Sequence, residues 1–466
     1  MRRLVKVMKL GGSCLCDGKA FVQASRIVRE DPARKVVVVS AMQGVTDELE
    51  RMLERCAASQ EAVAGLVRAL SRRHRGVLKQ AVRSASLRTS AGRRLDAKMR
   101  KLERLLLGAA CTGEIGAATR AHVLSYGERL SALLLAFALR DSGADAEAFD
   151  SDEIGIVTDD SFENATALLP AVRRNLARRL LPRIRTGTIP VVTGFFGRTE
   201  DGRVTLFGRN GSDYSAAVVA RALGADGLEL WKDVDGILSA DPKLARDVRL
   251  LDRLSYMEAA ELCHFGAEVL HPRTMEPLAD TGIPIRIQSF RRPEAPGSEI
   301  LTCARQGGRA AGSVACMRRL ILLRICGPGA GCRPGIIAEA ARRLAANDVE
   351  ILSMMSSRTC ISFLLAHTAA AAGRRALAAF CRTVGARLEL KTGLALVAAV
   401  GKGLRSRDGA AVRLLAAAAH AGIGVRLMAA GASDAASYLV VREADAARAV
   451  RTLHAALYED ATCRRR

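Results

Sequence analysis

Leu206-Phe207-Gly208-Arg209-Asn210-Gly211-Ser212-Asp213-Tyr214-Ser215-Ala216-Ala217 is the stretch on which the reading of this chain turns. Two glycines, an arginine, a serine and an aspartate stand just before a run of small residues suited to a closely packed helix. A helix start offers unpaired backbone N–H groups and the positive end of the helix dipole, so this composition suits an anion. The arginine adds a planar fork that matches a carboxylate or phosphate. Working outward, apolar, β-rich runs flank the stretch at residues 189–193 and 227–231, and two more occur at 4–10 and 35–40. Long helical stretches separate them, and residues from about 45 to 140 read as mainly helical. This alternation predicts an α/β fold with a mainly parallel open sheet flanked by helices. In such sheets ligands gather at the carboxyl ends of the strands.

Four other segments fit that placement. The first strand ends in Lys9-Leu10-Gly11-Gly12-Ser13, where adjacent glycines let backbone amides approach a phosphate and the lysine supplies charge. The second strand runs into Ser40-Ala41-Met42-Gln43-Gly44-Val45-Thr46-Asp47. Ser125-Tyr126-Gly127-Glu128-Arg129-Leu130-Ser131 is a polar start to an otherwise apolar helix. After Trp231, acidic residues and lysines alternate from Lys232 and Asp233 through Leu238 to Lys243, as a nucleotide and its magnesium would need. Each segment also has a plainer reading as a turn, a helix start or a surface loop.

Composition narrows the function classes. With 466 residues, 49% of them hydrophobic and 26% charged, the chain has material for two to four domains and no disordered signature. The formal net charge of +23 invites a nucleic-acid reading, but it is spread out as arginine, and aromatic residues are only 4%. A base-stacking groove needs aromatics among the basic residues, so no specific nucleic-acid partner is expected. The twelve cysteines show no CxxC pair and no zinc spacing, which suits free thiols in a reducing compartment. With no secretory signal and no run of 18 apolar residues, the expectation is a soluble, cytoplasmic protein without a membrane partner.

Behind a Gly- and Arg-rich change of composition near residues 297–312 lies an internal repeat. Residues 334–365 resemble 408–441, with Gly335 matching Gly409 and Val349 matching Ile423. Each copy reads as a strand, a Gly-bearing turn, an Ala/Leu helix, two strands around a short turn and a further helix. The expected division is therefore a first domain over 1–300, a linker over 301–316, and two small α+β modules over 317–392 and 393–466.

Seven segments in order, KLGGS, SAMQGVTDEL, YGERLSALLL, TGFFG, FGRNGSDYSAA, WKDVDGILSADPK and FGAEVLHPRTMEPL, resemble those of aspartate kinases, of the amino-acid kinase superfamily. The repeat resembles their paired ACT domains, which have a ferredoxin-like α+β fold. The resemblance implies phosphorylation of the β-carboxylate of L-aspartate by ATP, with Mg2+ carried by the nucleotide. Catalytic roles fall on Lys9, Asp213 and Arg209. Aspartate would meet Ser40, Thr46, Glu128, Phe195, Arg209 and Ser212, with Arg209 clamping the α-carboxylate and Glu128 taking the α-ammonium group. ATP would meet Lys9, Gly11, Gly12, Lys232, Asp233, Leu238 and Lys243.

The resemblance further implies a homo-oligomer formed through the ACT domains, with lysine or threonine as feedback effector near Arg333, Ile337, Asp348 and Ile351. Two departures stand out: Glu268 replaces a lysine found in some members of the family, and Leu238 replaces a frequent aromatic residue. The sequence ends directly after the second module, so no appended homoserine dehydrogenase half is expected. The competing readings are another amino-acid kinase and a catalytically inactive ACT-domain sensor. Intact Lys9, Arg209 and Asp213 speak against the sensor.

Overall fold

The computed structural model describes residues 5–267, 269–302, 312–401 and 410–458. Glu268, Gly409 and most of the expected 301–316 linker lie outside the described residues. Two compact units divide the chain, the first drawn from residues 1–237, 250–259 and 269–305, the second from 238–249, 260–268 and 306–466.

In the first unit the strands are β1 (Val5–Leu10), β2 (Arg34–Val39), β3 (Ala146–Phe149), β4 (Ile189–Thr193), β5 (Phe196–Arg198), β6 (Val204–Leu206), β7 (Gly227–Lys232), β8 (Arg253–Ser255), β9 (Ile285–Ser289) and β10 (Ser298–Leu301). Eight of them form one sheet in the order β3-β4-β2-β1-β7-β9-β10-β8, while β5 and β6 make a separate hairpin. Every pairing from β3 to β9 is parallel, and β10 alone runs antiparallel to β9. The β2 run Val36–Val39 and the neighbouring Val7, Met8 and Leu10 are fully buried, as a parallel sheet covered on both faces requires.

Between β2 and β3 the chain builds five helices, of which Ala85–Thr112 is the longest and Tyr126–Asp141 the most deeply buried. The Tyr126–Asp141 helix packs beside β2, β3 and β4, and its run Leu130–Leu139 fills the core together with Phe21, Leu49 and Leu95. On the same sheet lies the helix Gly211–Leu223, whose small residues Ala216, Ala217 and Ala220 are fully buried and let it approach β1 closely.

The second unit holds one antiparallel sheet of six strands in the order β12-β13-β11-β14-β16-β15, with β11 (Ser313–Cys326), β12 (Ser353–Ser357), β13 (Cys360–Ala366), β14 (Arg387–Val400), β15 (Leu427–Ala430) and β16 (Ala436–Arg442). The two long strands at its centre each serve both modules. Residues 320–326 of β11 pair with β13 and the first part of β14, whereas residues 313–317 pair with the last part of β14, which in turn pairs with β16. The change of partner falls at a register shift between Met317 and Leu320, where Arg319 takes a left-handed φ of 55°. Strand β14 passes unbroken through Gly393, so the modules are interleaved rather than strung end to end. One core, of Ile321, Leu323, Phe363 and Leu377, lies under the first module. A second, of Val397, Leu439, Val450 and Leu453, lies under the other and takes in Ala240 and Ala245 from the 238–249 segment.

Candidate active site

The carboxyl ends of β1, β2, β4 and β7 meet the N-terminal turns of three helices, Val45–Ala58, Tyr126–Asp141 and Gly211–Leu223. Close packing holds these turns in place. A Cβ on Gly127 would meet the Ala41 Cβ at 2.6 Å, and one on Gly194 would meet the Ser212 Cβ at 2.8 Å, so only glycine fits at either point. Gly11 donates to the Trp231 carbonyl at 3.3 Å, Ser40 to Leu10 at 3.1 Å and Gly194 to Val39 at 2.9 Å, which ties the four strand ends together.

At the centre Asp213, 2% exposed, stands between two lysines. Lys9 Nζ lies 2.6 Å from its Oδ1 and Lys232 Nζ lies 2.8 Å from its Oδ2. Burial opposes ionisation, but the two ammonium groups overcome it and hold the Asp213 carboxyl far below the usual carboxylate range. Sheet order explains the meeting: β1 and β7 are neighbours, Lys9 lies opposite Leu230, and the Gly211–Leu223 helix delivers Asp213 in its first turn.

Glu128 is buried equally deeply, at 3% exposure, but is only half satisfied. Its Oε1 accepts from the Ala41 N–H at 3.0 Å, while its Oε2 has no hydrogen-bond partner. Burial pushes the Glu128 carboxyl up to about 8, and the Ala41 amide, the more distant charge of Lys9 and the Ser212 hydroxyl only partly offset it. The site thus contains one carboxylate neutralised by lysines and one carboxyl with an unpartnered oxygen.

Other expected residues join this cluster. Gly12 lies against Ala41, with 3.0 Å from a Cβ position to the Ala41 carbonyl. Thr46 is in the first turn of its helix, partly exposed. Phe195 takes a left-handed φ of 71°, rare for an aromatic residue, with its ring against Gly211. Arg209 is exposed at the turn before the helix, and its charge bears on His271. Asp233 follows Lys232 on the surface. Leu238 and Lys243, by contrast, belong to the second unit, where the Leu238 carbonyl accepts from Ser313 Oγ at 2.9 Å and Lys243 is exposed. Of the four expected effector residues, Ile337 and Ile351 both pack against the first module's core. Arg333 and Ile337 stand at the start of the helix Ile336–Ala345, and Asp348 and Ile351 follow its end.

Two arginines escaped the sequence reading. Arg129 is buried, reaches Asp150 at 2.8 Å and Asp152 at 2.7 Å, and covers the Phe196 ring at 4.5 Å. Arg273 donates to the carbonyls of Phe207 and Ala165 at 2.8 Å and lies over Tyr214, which fixes the turn that carries Arg209. Both sit inside segments singled out for other residues, and the signal available was an arginine within an apolar, helix-forming context. A separate cleft of about 610 Å³ opens beside the helix Ala85–Thr112, lined by Lys98, Lys101, His122 and Asp152 among others. None of the expected site residues lines it.

Among the described residues no three carboxylate, histidine or cysteine groups gather as metal ligands. Both oxygens of Asp213 are occupied by lysines.

An open parallel sheet with a lysine–carboxylate centre at its strand ends defines a phosphate-handling α/β enzyme, and residues 5–289 match the amino acid kinase family. The chain belongs to that family and, within it, to the aspartokinases. It is 30% identical to aspartokinase 3, chloroplastic, of Arabidopsis thaliana, a match covering 99% of this chain and 83% of the relative. With lysine-sensitive aspartokinase 3 of Escherichia coli it shares 29% identity over 98% of this chain and 99% of that one. The structure of E. coli aspartokinase III in complex with aspartate and ADP (R-state) superposes with a TM-score of 0.82 at 27% identity, covering 97% of this chain and 100% of that chain. The same enzyme in complex with lysine and aspartate (T-state) gives 0.80 at 27% identity, covering 97% and 99%. Residues 397–457 match an ACT domain.

Proposed function

We propose that this protein transfers the γ-phosphoryl group of ATP to the β-carboxylate of L-aspartate, giving 4-phospho-L-aspartate and ADP. The observation that carries this reading is Asp213 held between Lys9 and Lys232 at adjoining strand ends, with Glu128, one oxygen unpartnered, within reach of the Lys9 charge. Membership of the aspartokinases, and a solved relative in complex with aspartate and ADP, support it.

A β-carboxylate oxygen of aspartate attacks the γ-phosphorus, the bond to the bridging oxygen breaks, and ADP leaves with the electron pair. Aspartate is already ionised at neutral pH, so no general base is needed and the protein contributes positioning and charge stabilisation. Lys9 and Lys232 meet the charge that develops on the transferring group, and Asp213 keeps both ammonium groups extended and fixed between strand and helix. Gly11 and Gly12 leave backbone room beside the phosphates. Glu128 takes the α-ammonium group, and Arg209 takes the α-carboxylate as a planar fork. Ser40, Thr46, Phe195 and Ser212 line the amino-acid pocket, while Asp233 completes the nucleotide side. Magnesium bound to the phosphates would screen their charge and bring the γ-phosphorus within reach of the nucleophile.

The catalytic part corresponds to about residues 1–300, and the two modules behind it are regulatory, bind lysine or threonine as feedback effector and join subunits into a homo-oligomer. The reaction opens the route to lysine, threonine and methionine, in the cytoplasm. Hydroxylamine trapping tests the activity: purified protein with Mg-ATP should give hydroxamate from L-aspartate and not from glutamate or acetylglutamate. Hydroxamate from glutamate instead, or from no substrate while ATP still binds, would overturn the proposal.

A further inference from the structure

Cys326 ends β11 and Cys360 begins β13, and the two are direct partners across the antiparallel pair, with their Sγ atoms 3.3 Å apart. Gly327 donates to the Thr359 carbonyl, which makes Cys326 and Cys360 a non-hydrogen-bonded pair. In such pairs the Cα atoms lie about 4.5 Å apart, inside the span a disulfide bridges without moving the backbone. Ile325 and Ile361, one position on, point into the module core. The two thiols therefore lie on the other face of the sheet, where both are partly exposed. Arg324 shares that face, bonds Glu389 at 3.1 Å, and has its guanidinium beside Cys360, where it would pair with a thiolate. Burial and the neighbouring thiol push the Cys326 thiol up to about 12.

The pair stands at the root of a loop. Residues 327–335 leave β11 at Cys326 and rest on the β12–β13 turn through Gly327 to Thr359 and Gly331 to Arg358. Contact there is so close that a Cβ on Gly331 would overlap the Ser357 carbonyl. The same loop leads into the helix Ile336–Ala345 and carries Arg333, which donates to the Val384 carbonyl at 3.2 Å.

We propose that Cys326 and Cys360 are a reversible dithiol–disulfide pair that clamps the 327–335 loop to the β12–β13 turn and so sets the effector response of the first module. The regulatory consequence rests on the reading of this module as an effector domain; the disulfide itself does not. With oxidised glutathione as oxidant, the Cys360 thiolate attacks one of its sulfurs and expels a glutathione thiolate. Cys326, losing its proton, then attacks the Cys360 sulfur of the mixed disulfide and expels the second. Two protein thiols become one disulfide, two electrons pass to glutathione disulfide, and two molecules of glutathione form.

The full-length protein is equilibrated in glutathione buffers from fully reduced to fully oxidised, alkylated, digested and mapped by mass spectrometry. A Cys326–Cys360 linked peptide, two hydrogens lighter than the dithiol and reversed by dithiothreitol, is expected. It should persist in Cys332→Ser, and Cys326→Ser should leave Cys360 carrying glutathione. Thiols that both remain open to alkylation in excess oxidised glutathione, or that link to other cysteines, would overturn the proposal. Aspartate kinase activity is then measured against lysine and against threonine in both states. A shift of about threefold or more in the half-inhibiting concentration, absent in Cys326→Ser, is expected. A disulfide without that shift would refute the clamp, whereas no inhibition in either state would refute the effector reading and leave the disulfide standing.

Discussion

Two helix starts at the same strand ends each present a buried carboxyl group, and they are poised in opposite ways. At the start of Gly211–Leu223, Asp213 has a lysine on each oxygen and is ionised before any ligand arrives. At the start of Tyr126–Asp141, Glu128 is as deeply buried but bonds one backbone amide, leaves one oxygen unpartnered and is held near 8. Burial alone would raise both. The difference lies in what stands within reach: two lysines against Asp213, and no cation in ion-pair contact with Glu128 among the described residues. In the proposed function Asp213 belongs to the phosphate side of the site and Glu128 to the amino-acid side.

The comparison can be broken from either side. Removing Lys9 leaves Asp213 with one partner and the transferring phosphoryl group with less charge stabilisation. Lys9→Ala should therefore lower kcat by about a thousandfold while thermal melting stays cooperative; unchanged turnover in the hydroxamate assay would refute the assignment. Glu128→Gln takes away the charge that receives the α-ammonium group, and KM for aspartate should rise about a hundredfold, with KM for ATP little changed. Arg209→Ala should raise KM for aspartate about thirtyfold, again without a matching effect on ATP, and equal effects on both substrates would remove its role as carboxylate clamp. The smallest effect concerns pH. Only the ionised form of Glu128 holds an ammonium group, so apparent affinity for aspartate should increase with pH and level off above about 8. Between pH 7 and 8 the gain should be about fivefold, and Glu128→Gln should abolish it.

Much of this was legible in the sequence. Lys9, Glu128, Arg209 and Asp213 each stand in a segment whose local chemistry, a glycine turn or a polar helix start, already suggests a ligand. Their convergence was not legible, because Lys9, Asp213 and Lys232 meet only through the placing of β1 beside β7 and the packing of the Gly211–Leu223 helix on both. The opposite ionisation of Asp213 and Glu128 follows from that convergence and was equally hidden. Arg129 and Arg273 were overlooked since their partners, Asp150 and Asp152 for one and backbone carbonyls for the other, are remote in sequence or carry no side-chain signal. The repeat disclosed two modules, but not that residues 313–317 return to the second module's sheet, since that short strand precedes both copies. Nor could the sequence show Ala240 and Ala245 packed in the second unit, because the 238–249 segment reads as the continuation of the nucleotide loop.

Calorimetric titration of aspartate into the protein at pH 7, in buffers of different ionisation enthalpy, tests most directly whether Glu128 waits as a neutral acid for the substrate's ammonium group. About one proton should be released per aspartate bound, and the release should be lost in Glu128→Gln. Binding without proton release in the wild-type protein would show that Glu128 is already ionised in the empty site and would contradict that role.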